Sequence, residues 1–75
     1  MPILPILLAK DVAKLFERNG YEIKSQAGSH KKMSNGMQTI IIPMHNKPLK
    51  IGTLKSIIRQ ASMTDSEFLD MYNNR

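Results

Sequence analysis

Leu8, Val12, Leu15 and Phe16 fall at i, i+4, i+7 and i+8, the spacing that lines one stripe of an α-helix with apolar side chains. Asp11 lies near the start of that stripe, where a negative charge suits the helix dipole. Asn19-Gly20 closes it, with Gly20 suited to the left-handed position that ends helices. The pattern predicts a first helix over 9–19. The period then changes from 3.6 to 2. Tyr21-Glu22-Ile23-Lys24-Ser25-Gln26 alternates apolar and polar residues, which predicts a half-buried strand with Tyr21 and Ile23 facing inward. Ala27-Gly28 breaks it. Two further short runs are joined by Asn35-Gly36, a strong hairpin signal because both central residues of a type I′ turn need positive φ.

With a two-residue loop at Asn35-Gly36, Ser34 pairs with Met37, and counting back sets Met33 opposite Gln38, Lys31 opposite Ile40, His30 opposite Ile41 and Ser29 opposite Ile42. Directly opposed residues share a face, and faces alternate along each strand. One face then carries Ser29, Lys31, Met33, Gln38, Ile40 and Ile42; the other carries His30, Lys32, Thr39 and Ile41. The first is the core face, with Lys31 snorkelling outward at its rim. His30 and Lys32 share the outer one.

Pro43-Met44-His45-Asn46-Lys47-Pro48 reads as a loop, since its two prolines cannot continue a ladder. Leu54, Ile57, Ile58 and Ala61 restore helical spacing and predict a second helix over 53–61, with Lys55 and Arg59 four apart on its other face. Like charges at that spacing cost a few tenths of a kcal/mol, which suits either an anion-binding face or a solvated one. Thr64-Asp65-Ser66-Glu67 is a capping box, with Met63 and Phe68 placed for a hydrophobic staple across it, and predicts a third helix to about residue 72. The order is α-β-β-β-α-α: a three-stranded antiparallel sheet with helices on one face, an α+β architecture.

At 75 residues the chain is expected to be one domain, 1–75, with a folded core over 9–72 that buries about 60% of the surface its unfolded form exposes. Residues 1–8 are apolar, but they have no basic start and contain two prolines, so they do not read as a signal peptide. Eight residues also fall far short of the ~20 that span a bilayer. They are expected to form an extended lead packing on the domain edge or on a partner. The absence of cysteine removes disulfides and thiolate metal sites and fits a cytoplasmic protein.

Charge sharpens the picture. Between Glu22 and Asp65 the chain carries Lys24, Lys31, Lys32, Lys47, Lys50, Lys55 and Arg59 and no acidic residue. A basic centre beside an acidic end is the footprint of a phosphate-backbone binder, or of a basic surface kept for solubility. Two histidines fifteen positions apart, with carboxylates confined to the ends, do not form a metal-ligand cluster. Gly28 and Gly36 lack the spacing of a phosphate-cradling loop, and adjacent strand residues such as Ser29 and His30 point to opposite faces. No cofactor is expected. One reaction suits so few groups: RNA cleavage by the substrate's own 2′-hydroxyl, which needs a group that moves a proton near neutral pH and cations to stabilise charge on the phosphorus. His30, with Lys31, Lys32 or Lys24, meets both needs; a surface histidine with no role is the alternative.

Asn19-Gly20-Tyr21, Gly28-Ser29-His30, the Asn35-Gly36 hairpin, Pro43-Met44-His45, Gly52-Thr53-Leu54 and Ile58-Arg59-Gln60-Ala61, in this order and spacing over 9–70, resemble the HicA family of bacterial toxins. The resemblance implies an mRNA interferase on a double-stranded-RNA-binding-domain-like fold, with His30 catalytic, and an antitoxin of the HicB type that covers His30. Lys31 and Lys32 stand where the family often carries histidine or apolar residues, and Ser62 where it often has glycine. The expected RNA contacts are Lys24, Gly28, Ser29, Lys31, Lys32, Lys47, Lys50, Lys55 and Arg59, with no metal ligands and no membrane contact. His45 is either a second proton-transfer group or, as preferred here, a loop histidine whose ring caps a backbone group after Pro43.

Two other functions fit parts of the pattern. A non-catalytic RNA-binding module would use the same basic surface through shape and phosphate contacts. A DNA-reading helix-turn-helix over 53–72 would need its second helix in the groove, yet that helix carries Asp65, Glu67 and Asp70. Direct DNA binding is therefore not expected.

Overall fold

A computed structural model describes residues 3–74; Met1 and Pro2, the start of the expected lead, lie outside the described residues. The chain forms α1 (Ala9–Arg18), β1 (Glu22–Ala27), β2 (His30–Ser34), β3 (Thr39–Pro43), α2 (Ile51–Gln60) and α3 (Asp65–Asn73). The strands make one antiparallel sheet in the order β1-β2-β3. Helices α1 and α2 pack on β3, and α3 packs on α2. This is the α+β layout that the periodicity predicts.

The core forms where the helical stripes meet the inward residues of β2 and β3. Val12 and Phe16 of α1, Met33, Ile40 and Ile42 of the sheet, Leu54, Ile57 and Ile58 of α2, and Phe68 of α3 are all buried. The Phe16 ring meets Tyr21 edge-on at 5.0 Å and Phe68 at 6.2 Å. Such pairs add about 0.5–1.5 kcal/mol each beyond the area they bury. Backbone chemistry at the end of α1 brings Tyr21 there. Tyr21 N–H donates to Phe16 C=O at 3.0 Å and Gly20 N–H to Glu17 C=O at 3.4 Å, with Gly20 at φ +94°. This is a Schellman cap, which folds the residue after the glycine back onto the last helical turn.

The two hairpins exchange the roles expected of them. Ala27-Gly28 is not merely a strand break. Ala27 pairs with His30, so Gly28-Ser29 is the two-residue loop. Gly28 has φ +58° while Ser29 does not enter the positive region, the signature of a type II′ turn. Ser29 therefore sits in a turn, not on the core face of a strand. At Asn35-Gly36 the loop is four residues long. Ser34 pairs with Thr39 and Met33 with Ile40, and of the two central residues only Gly36 has positive φ. The Asn35 side chain decides this, because Oδ1 accepts from Met37 N–H at 2.9 Å and Gln38 N–H at 2.7 Å. That Asx-type bonding holds a wider loop in place of the type I′ turn.

The register is thus shifted by two from the expected one. A shift of two leaves every side chain on its face, and Met33, Ile40 and Ile42 are buried while His30, Lys32 and Ile41 are exposed.

Three further expectations change. Ile23 shares the core face with Met33, its partner, but is 49% exposed, because β1 is the sheet edge that α1 and α2 leave uncovered. A bulge between Ile23 and Ser25 twists that edge. Helix α2 begins at Ile51, so Thr53 lies in its first turn, and it ends at Gln60. Its exit repeats the α1 cap without glycine. Met63 N–H donates to Ile58 C=O at 3.1 Å and Ser62 N–H to Arg59 C=O at 2.9 Å, with Ser62 at φ 57°.

The capping box of α3 is complete. Thr64 Oγ1 accepts from Glu67 N–H at 3.1 Å, and Glu67 Oε1 accepts from Thr64 N–H at 2.8 Å. The lead packs on the domain: Leu4 and Leu7 are buried, and Leu7 C=O accepts from Leu49 N–H at 2.8 Å.

Candidate functional site

His30 is the first residue of β2 and follows directly on the Gly28-Ser29 turn. It is paired with Ala27 on one side and Pro43 on the other. The turn is also tied to the end of β3, where Ser29 C=O accepts from Met44 N–H. The His30 backbone is thus held between two neighbouring strands, next to a turn that is itself tied to β3. Its side chain points away from the helices, is exposed, and makes no hydrogen bond or ion pair to the described residues. A fixed base with an unengaged ring presents both imidazole nitrogens to whatever lands on the outer face.

Lys32 stands two residues along on the same face, exposed, opposite Ser25 and Ile41. Gly28 and Ser29 border the face as its turn. These four are brought together. Lys31 lies on the other face, half-buried, opposite Ile42 and Gln26, so the two adjacent lysines serve different surfaces.

The remaining cations divide further. Lys24 occupies the β1 bulge and pairs with Glu22 at 3.3 Å, where both side chains are well exposed; pairs of that kind contribute little. Lys55 of α2 lies 3.8 Å from Asp65. Arg59 is exposed in the last turn of α2, one turn beyond Lys55. Lys47 and Lys50 instead join His45 along an open groove of about 690 Å³ that starts at Pro43. The His45 ring makes no hydrogen bond to the described residues, so the expected capping of a backbone group is absent. The imidazole borders the groove and a second hollow of about 250 Å³ shared with Leu8 and Lys10.

Gln60 enters the sequence reading only as part of the Ile58-Arg59-Gln60-Ala61 motif, with no role of its own. Its Oε1 accepts from Ile41 N–H at 2.8 Å, filling a backbone donor on the outer edge of β3. Nothing in the spacing of Gln60 signals this, because it depends on α2 crossing that edge. Among the described residues no group of three or more histidines and carboxylates is placed to hold a metal, and no helix is long and apolar enough to cross a membrane. Burial pushes the Tyr21 phenol above its ordinary range.

A family model described as the HicA toxin of bacterial toxin–antitoxin matches residues 9–63, a stretch that runs from α1 through the whole sheet and α2 to the cap after it. A search of curated proteins finds no match.

Proposed function

The chain belongs to the HicA family, the toxin half of a bacterial toxin–antitoxin pair, and from that premise we propose that it is an endoribonuclease that cleaves mRNA in the cytoplasm. His30 is the proton-transfer group, and no metal or cofactor takes part. A cognate HicB-type antitoxin neutralises it by covering the outer face of the sheet, and with it His30. The observation that carries this reading is the setting of His30: backbone pinned by Ala27, Pro43 and the tied turn, ring exposed and unengaged, Lys32 beside it on the same face.

In the reaction, the His30 imidazole accepts the proton of a ribose 2′-hydroxyl as the 2′-oxygen attacks the adjacent phosphorus. The bond from phosphorus to the 5′-oxygen of the next nucleotide breaks, and that oxygen takes a proton from solvent. The products are a 2′,3′-cyclic phosphate and a 5′-hydroxyl. Lys32 stabilises the extra negative charge on the phosphorane, while Gly28 and Ser29 let the strand approach the turn closely.

The test is incubation of purified wild-type and His30→Ala protein with RNA in EDTA. Wild-type protein is expected to cut, and the variant to lose about 10²–10⁴-fold in rate, the usual worth of a positioned acid–base group, while keeping its fold and its antitoxin. Full cleavage by His30→Ala removes the histidine from the mechanism. Loss of wild-type cleavage in EDTA reinstates a metal. Binding without any product at high protein concentration makes the chain an RNA-binding module instead.

A further inference from the structure

We propose that the groove between the end of β3 and the first turn of α2 is a subsite for the phosphate backbone of single-stranded RNA, continuing the strand beyond His30. The proposal rests on the nuclease reading above and adds the path of the substrate.

Three observations carry it. The first is position. The groove opens at Pro43, the direct cross-strand partner of His30, and directly opposed residues share a sheet face. A strand lying over His30 therefore meets the first wall of the groove at the residue paired with His30 and follows it along the β3 edge toward α2.

The second is charge. Lys47, Lys50 and His45 line the groove, its other walls are neutral side chains, and no carboxylate borders it. The two lysines make no ion pair with the described residues, whereas Lys24 and Lys55 each have a carboxylate beside them. Of the seven cations between Glu22 and Asp65, Lys47 and Lys50 are thus the two that combine freedom from a carboxylate with a concave surface adjoining His30.

The third is rigidity. The segment that carries these groups is held at both ends. Met44 N–H bonds to the carbonyl of Ser29 in the His30 turn, and Leu49, itself buried, bonds to Leu7, with Pro48 bridged to Leu8. Cations on an anchored loop lose less freedom on binding than cations on a loose one, and this favours affinity for a regularly spaced polyanion. An acidic segment of a partner protein shares part of this chemistry. The pairing of Pro43, the first residue of the groove, with His30 favours the RNA strand.

The test measures binding of a short single-stranded RNA to His30→Ala protein, which holds the strand uncut, across a range of salt concentrations. Each single-strand phosphate neutralised contributes about 0.7 to the slope of log affinity against log salt. Lys47→Ala with Lys50→Ala in that background is expected to flatten the slope by about 1.4. Lys47→Arg with Lys50→Arg keeps it. Lys14→Ala with Arg18→Ala, which removes two cations from α1, leaves it unchanged.

In the cleaving protein the double alanine variant is expected to raise KM at least tenfold with kcat within about twofold. An unchanged slope and KM in a protein whose wild type cuts RNA overturns the subsite and leaves the nuclease reading standing. Loss of antitoxin binding with RNA affinity unaffected also overturns it and assigns the groove to the antitoxin. A wild-type protein that neither binds nor cuts RNA overturns the nuclease reading, and the subsite with it.

Discussion

Ser62 is the only non-glycine residue with positive φ among the described residues, at 57°, and it occupies the position of a Schellman cap that Gly20 fills at the end of α1. The two caps make a matched pair, and exchanging their residues measures the backbone term directly. An L-residue in the left-handed region carries a steric penalty of about 1–2 kcal/mol. Glycine escapes it but loses more chain entropy on folding, about 0.5–1 kcal/mol relative to alanine. The Ser62 hydroxyl adds little, since its one contact, from Gln38 Nε2, is exposed and 3.4 Å long, beyond the usual hydrogen-bond range. Ser62→Gly should therefore stabilise the protein by about 0.8 kcal/mol, the difference of the midpoints of those terms. For a domain of this size that raises Tm by roughly 3–6 °C.

Gly20→Ala should do the reverse. A Cβ at Gly20 meets nothing within 4 Å, so its effect is conformational alone. Thermal and urea unfolding followed by circular dichroism read both changes, with Ser62→Ala as the control that removes the hydroxyl and keeps the strain. Destabilisation by Ser62→Gly, or stabilisation by Gly20→Ala, refutes the assignment of strain to the α2 exit.

Thr64→Ala should cost about 1 kcal/mol, the usual worth of an N-cap, because it strips the acceptor from Glu67 N–H; urea unfolding reads it, and an unchanged midpoint shows the box to be redundant. Gln60→Ala leaves Ile41 N–H on the β3 edge to water, at about 0.5–1.5 kcal/mol, and opens that edge to pairing between molecules, so light scattering on heating should rise before the wild type's does. Alkaline stability follows Tyr21. Its folded pKa is raised by burial, so below about pH 10 the phenol is neutral in both states. Above that the unfolded chain releases its proton first, and stability falls as pH rises toward the folded value. Tyr21→Phe should flatten the decline above pH 10, and an equal decline in the variant assigns it elsewhere.

Which parts of this molecule were legible without coordinates follows from the range of the interactions involved. The stripe of Val12, Leu15 and Phe16, the cap at Gly20 and the Thr64–Glu67 box depend on residues within about one helical turn of one another, and the sequence displays them in full. The outward placement of His30 and Lys32 was legible for a different reason. Side-chain direction in a strand has period 2, so even a register shifted by two put both on the outer face and Met33, Ile40 and Ile42 in the core. The register itself was not legible, because Asn35 Oδ1 bonds Met37 and Gln38 N–H instead of leaving Asn35-Gly36 to form the tight turn.

What the tertiary structure alone decided was the grouping of like residues. Seven cations in one stretch of sequence look alike, and only packing shows which face, helix or groove each one reaches. Ile23 has the alternation of a core residue, yet it is half exposed because α1 and α2 settle on β3 and leave β1 bare. Gln60 gains its role only where α2 crosses the β3 edge. His30 could be found by local pattern and placed on a face by parity. The fixing of its backbone between Ala27 and Pro43, and the groove that begins at Pro43, come from contacts between segments far apart in the chain, which no local spacing encodes.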